Sequence, residues 1–145
     1  MLLKKAERRH GLTTGDYARL AAFRQGLREF LRFSEDAAAR AGLSTQHYQA
    51  MLVLRAAPDG SRVTINDLAR RLLIKHNSAV GLVDRLVREG LARRAASKAD
   101  RRKVELELSA RGRQVLARLA ATHRRELERI GPELKRLIGE VLRAG

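Results

Sequence analysis

The sequence predicts a mainly α-helical chain with one small β-hairpin. Three observations carry that expectation. Apolar residues recur at three- and four-residue steps through most of the 145 positions, the spacing of a single helix face. The pattern switches to strict alternation at Lys103 to Leu108, KVELEL, as a half-buried strand requires. Hydrophobic residues make up 44% and cysteine is absent. A packed core is therefore available, while disulfide scaffolds, thiolate chemistry and cysteine-ligated metals are excluded.

The elements follow in order. Residues 1–12 read as a loose basic lead-in, without the apolar segment of a secretion signal. Thr13 or Thr14 offers an N-cap, and Asp16 falls in the first turn, where the helix dipole favours a carboxylate. Leu20, Phe23, Leu27, Phe30 and Leu31 then form one stripe, and Gly42 ends the helix. A helix from about 15 to 41 spans roughly 40 Å. So small a domain cannot cover all of its stripe, so part of that face is expected to meet a second chain. Ser44 caps the next helix, with Tyr48, Met51, Leu52 and Leu54 as apolar positions and Ala57-Pro58-Asp59-Gly60 as the closing turn. Arg62 to Thr64 is a short extended stretch. Thr64 caps a third helix with Asp67 three residues on, close to a capping box. Ile65, Leu68, Ala69 and Leu72 face inward. After a break at Leu73 to His76, a fourth helix turns Ala79, Leu82, Val83 and Leu86 inward and stops at Gly90.

Leu91 to Ala95 is the expected partner of Val104 to Leu108. The polar, basic connection ASKADRR lacks a tight-turn pair, which predicts an open, mobile tip. Ser109 caps a helix carrying Val115, Leu116, Leu119, Leu127 and Ile130. Gly131-Pro132 is expected to break it and to start a last helix with Leu134, Leu137, Ile138, Val141 and Leu142.

Charge narrows the function. The net charge is +15, and residues 61–113 hold 14 basic against 6 acidic groups, more than half of the excess. Such a segment attracts polyanions, either nucleic acid or an acidic membrane surface. No apolar run approaches the roughly 20 residues of a membrane span. The sequence has no phosphate-cradling glycine loop, no GxSxG and no HExxH, so an enzyme is not expected. His10, His47, His76 and His123 are scattered without ligand spacing, so neither a metal nor another cofactor is expected.

The third and fourth helices, joined by a tight turn, read as a helix-turn-helix, and the basic hairpin adds a wing. A helix fits the major groove, where each base pair shows a distinct pattern. A basic tip reaches a neighbouring minor groove, where negative potential attracts Arg. The stretch from Leu43 to Gly112 resembles the MarR family of bacterial transcription regulators. The resemblance is carried by GLSTQHYQAMLVL, TINDLARRLLI, SAVGLVDRLVREGLARR and, most specifically, DRRKVELELSARG. It implies a winged helix-turn-helix with long N- and C-terminal dimerisation helices: residues 1–42, a DNA-binding domain at 43–112 (recognition helix about 76–89, wing about 91–108), and residues 113–145. It further implies a cytoplasmic, nucleoid-associated homodimer on a pseudo-palindromic duplex, acting as a repressor and relieved by a small aromatic or phenolic ligand. An architectural, weakly selective DNA binder is the alternative. An RNA reader is disfavoured, because no aromatic residue lies near the basic segment.

Candidate DNA contacts on the recognition helix are Lys75, His76, Asn77, Ser78, Val80, Gly81 and Arg85. Asn77 suits adenine, Val80 a thymine methyl and Ser78 a phosphate. Arg85 is expected at a phosphate or paired with Asp84. The sequence departs from the family at Lys75, where a capping Ser or Thr is common, and at Val80 and Gly81, where polar residues are common. Base reading by this helix is therefore expected to be sparse. Wing candidates are Arg93, Arg94, Ser97, Lys98, Asp100, Arg101, Arg102 and Lys103. The resemblance makes Asp100 and Arg102 the pair that shapes the tip, by a charge-assisted hydrogen bond, leaving Arg101 or Lys98 for the minor groove. Phe30, His47 and Tyr48 are candidates for a ligand cleft, poorly furnished because aromatics are only 3% of the chain.

Overall fold

A computed structural model describes residues 11–58 and 62–143. Most of the expected basic lead-in, with His10, and the Asp59-Gly60 turn lie outside the described residues. The order is α1 (Thr14–Arg40), α2 (Thr45–Ala56), β1 (Val63–Thr64), α3 (Ile65–Leu72), α4 (His76–Arg88), β2 (Ala92–Ala96), β3 (Val104–Leu108) and α5 (Ala110–Arg143). The chain forms two compact units, divided within α1 and α5. One holds the residues up to Ser34 and from His123 onward, the other Glu35–Thr122.

Capping chemistry sets the helix starts. Thr13, not Thr14, caps α1: its hydroxyl accepts from Asp16 N at 3.2 Å, and Thr13 N donates to Asp16 Oδ2 at 2.7 Å. Thr64 and Asp67 make the same reciprocal pair at 3.1 Å in both directions. At α2 the reciprocal partner of Ser44 is His47, whose Nδ1 accepts from Ser44 N at 3.2 Å.

In the Glu35–Thr122 unit, the helices and sheet enclose one core. Met51, Leu68, Leu86 and Val83 are its largest fully buried side chains. The expected inner face of α4 is buried as read: Ala79, Leu82, Val83 and Leu86. The sheet has three strands rather than the two of a hairpin. Its order is β1-β3-β2, all antiparallel, with Val63 opposite Leu106 and Arg94 opposite Leu106 on the other side. Two residues of β1 are too few to show alternation, so their pairing has no signature in the sequence. Leu106 and Leu108 face the core, while Val104 at the tip end stays 40% exposed.

The remaining unit is helical. Here the expected break at Gly131-Pro132 does not occur, and α5 runs unbroken from Ala110 to Arg143 with Pro132 inside it. An interior proline costs a helix about 3 kcal/mol. Packing beyond the proline opposes that cost. Leu134 and Leu137 lie against Gly26 of α1, where a Cβ would sit 3.0 Å from Leu134 Cδ2. Arg136 also bonds Glu133 on the preceding turn and Glu140 on the following one. His123 is buried with Ser34, their Nε2 and Oγ 2.8 Å apart, and the rings of Phe30 and Phe33 meet its ring edge-on. Tyr17, Leu20 and Leu31 of α1 and Leu127, Ile138 and Leu142 of α5 remain exposed apolar side chains.

Candidate nucleic-acid interface

The site is built on α4 and the β2–β3 wing. Burying Ala79, Leu82, Val83 and Leu86 leaves His76, Asn77, Ser78, Gly81, Asp84, Arg85 and Arg88 exposed, with Val80 half-buried. Lys75 precedes the helix without a side-chain cap bond, so its ammonium is uncommitted to the helix end. His76 Nδ1 lies 2.7 Å from Asn66 Oδ1, which ties the first turn of α4 to α3. Asn66 was not among the expected site residues. Its role depends on a contact ten residues away, invisible to local pattern.

Arg85 does not pair with Asp84. Its Nε donates to Glu89 Oε1 at 3.0 Å and its Nη2 to Gly42 O at 3.3 Å. Adjacent residues diverge around a helix, whereas residues four apart share a face. Asp84 is instead paired with Arg94 of β2, which joins helix to wing. Arg93 pairs with Glu107 on the neighbouring strand at 3.3 Å. The two arginines of the first wing strand are thus partly neutralised within the fold.

The tip differs. Expected to be open, it is folded upon itself. Ser97, 5% exposed, accepts at Oγ from Ala99 N and Asp100 N at 3.3 and 3.2 Å, and Ser97 N donates to Lys103 O at 2.9 Å. Asp100 does shape the turn, but through the backbone amide of Arg102 at 3.0 Å rather than its guanidinium. An Asx-type turn forms because the carboxylate reaches an amide two residues on without fixing a long side chain. The Arg102 guanidinium is thereby left outward. Lys98, Arg101, Arg102 and Lys103 are all exposed, and among the described residues no carboxylate lies in ion-pair range of them. Positive potential therefore concentrates at the tip.

The candidate ligand residues fall in both units, His47 and Tyr48 in one and Phe30 in the other. His47 is occupied in the α2 cap; burial, then the nearby Arg85 charge, lowers its pKa. Burial raises the Tyr48 pKa, and Phe30 lies in the helical unit beside His123. Within the Glu35–Thr122 unit, an open cleft of about 710 Å³ is lined by Ala37, Arg40, Ala41, Arg111, Gln114, Val115, Arg118, Leu119 and Thr122. Among the described residues, no group of three His, Asp or Glu side chains is arranged to hold a metal ion. No described helix is long and apolar enough to cross a membrane.

A helix backed by a core and set beside a cationic hairpin defines the winged helix-turn-helix class. Residues 41–103 match the model of the MarR family. No curated protein sequence matches the chain. The fold is shared with solved structures. AbsC, a MarR-family transcriptional regulator from Streptomyces coelicolor, is 21% identical with a TM-score of 0.74, covering 85% of this chain and 82% of its own. CouR, a transcriptional repressor bound to a DNA duplex, is 24% identical with a TM-score of 0.69, covering 90% and 95%. A MepR variant from S. aureus bound to an oligodeoxyribonucleotide is 17% identical with a TM-score of 0.66, covering 90% and 99%.

Proposed function

We propose that this chain is a homodimeric, sequence-specific transcriptional repressor, with α4 in the major groove and the wing in the adjacent minor groove. One observation carries the reading: the exposed first turn of α4 stands in the same unit as a wing tip of four exposed cations. Asn77 reads a base edge, Ser78 and Lys75 hold phosphates, and Arg101 or Lys98 enters the minor groove. Arg93 and Arg94 reach the backbone only by sharing their carboxylate partners. CouR and MepR, both described with DNA, support a duplex partner.

Dimerisation is supported by the exposed apolar residues of α1 and α5. Tyr17, Leu31, Leu127 and Leu142 are between 45% and 74% exposed, a face that a second copy would cover. Residues 1–42 and 113–145 are accordingly assigned to the dimer, and 43–112 to DNA. Relief by a small aromatic acid is supported by the cleft, whose Ala37, Val115 and Leu119 offer an apolar floor beneath Arg40, Arg111 and Arg118. This chemistry is that of a cytoplasmic, nucleoid-associated protein.

The test combines selection from a random duplex library, footprinting and sedimentation. A protected pseudo-palindrome bound by a dimer is the expected result. Failure to retain duplex DNA at low ionic strength refutes the reading. An architectural role is the second reading, favoured by Val80 and Gly81, which leave the middle of α4 without hydrogen-bonding side chains. Diffuse protection would support it.

A further inference from the structure

Three helices end in the same hydrogen-bonded turn. After α1, Leu43 N bonds Ala38 O and Gly42 N bonds Ala39 O, both at 2.9 Å. After α4, Leu91 N bonds Leu86 O at 2.8 Å and Gly90 N bonds Val87 O at 3.0 Å. After α3, Ile74 N bonds Ala69 O at 3.0 Å and Leu73 N bonds Arg70 O at 3.3 Å. The motif swings the next residue inward: Leu43 and Leu91 are buried, and Ile74 packs on the core. It also demands one left-handed residue. That residue is Gly42 at φ 74°, Gly90 at φ 72°, and at the third site Leu73 at φ 56°.

Leu73 is the one non-glycine residue with positive φ among those described. Its Cβ opposes the conformation that the turn requires. Its side chain is 91% exposed, so it buries almost nothing in return. Folding has no use for a leucine here that glycine would not serve better. Its neighbours in sequence include the exposed cations Arg71 and Lys75, while Arg70 is paired with Asp67 at 2.9 Å. His76, Asn77 and Ser78, the exposed first turn of α4, begin three residues on.

We propose that Leu73 is a base contact of the DNA complex, packing on the 5-methyl group of a thymine in the major groove beside the first turn of α4. The proposal rests on the reading of α4 as the groove helix. A cationic surround selects a polyanion and repels a second copy of the same segment. Within the major groove the apolar group on offer is the thymine methyl. The leucine is thus kept for the complex, where its apolar area leaves water.

The experiment compares the wild type and Leu73→Gly on duplexes that the wild type enriches from a random library. Each thymine is replaced in turn by uracil, which removes only the methyl. The wild type should lose roughly three- to tenfold in affinity at one uracil position to which the variant is indifferent. On the thymine duplex the variant should bind about tenfold more weakly. Its Tm should be unchanged or raised, because glycine suits the turn. Undiminished affinity of Leu73→Gly, or loss without altered uracil sensitivity, overturns the contact while leaving the DNA reading intact. A fall in Tm overturns it too, by giving the leucine a folding role. If the wild type enriches no duplex, the DNA reading itself fails and takes this contact with it.

Discussion

Two glycines inside helices should respond oppositely to the same added methyl group. Gly112 lies in the first turn of α5, where Ser109 Oγ accepts from its amide at 2.9 Å. A Cβ at Gly112 would overlap the Leu91 carbonyl oxygen and sit 2.9 Å from the carbonyl carbon. The obstacle is backbone, so no rotamer change relieves it. The start of α5 has to move away from the strand entry. That movement strains Ser109 N to Leu91 O at 3.0 Å and Ser109 Oγ to Gly90 O at 2.6 Å. Losing both hydrogen bonds costs about 2 kcal/mol, and overpacking adds about 1–3 kcal/mol. The gain in helix propensity returns only about 1 kcal/mol. Gly112→Ala should therefore destabilise by about 2–4 kcal/mol. Gly81 in α4 is the control, because a Cβ there meets nothing within 4 Å. Gly81→Ala keeps only the propensity gain, about 1 kcal/mol of stabilisation. Urea denaturation followed by circular dichroism, at one fixed protein concentration, measures both. A Gly112→Ala midpoint matching the parent would refute the close-approach argument, and a destabilised Gly81→Ala would refute the open-space one.

Met51→Ala should cost about 2–5 kcal/mol in the same assay, since Met51 is fully buried. Asn77→Ala should cost about 1–3 kcal/mol at a single base pair; equal loss on selected and random duplexes would remove Asn77 from base reading. Arg101→Ala should weaken binding to all sequences and lower the slope of log affinity against log salt by about one; an unchanged slope takes its guanidinium off the phosphates. Asp67 is held below its ordinary value of 3.8, chiefly by the Thr64 amide and then by the Thr64 hydroxyl. A lowered folded value means that the unfolded chain binds more protons. Its stabilisation is thus complete above the ordinary value and lost as pH falls through the folded one. Asp67→Asn should flatten that acid fall below the ordinary value of 3.8, and an identical acid limb in variant and parent would contradict this.

Residue order alone determined which faces are apolar, where helices begin, and where alternation replaces helical period. These are local properties: Thr64 caps because Asp67 is three residues away, and Leu82 and Leu86 share a face because they are one turn apart. The inner face of α4 and both wing strands were legible for that reason. Tertiary structure decided whatever depends on distant neighbours. It carried α5 through Pro132 because Leu134 and Leu137 pack against Gly26. It turned Asp84 to Arg94 and Arg85 to Glu89, and it brought β1 to the sheet edge. It also gave Leu73 a left-handed backbone, since the reach of Ile74 into the core outweighs the comfort of one exposed side chain. Local spacing fixes direction around an axis, but the partner found in that direction comes from elsewhere in the chain.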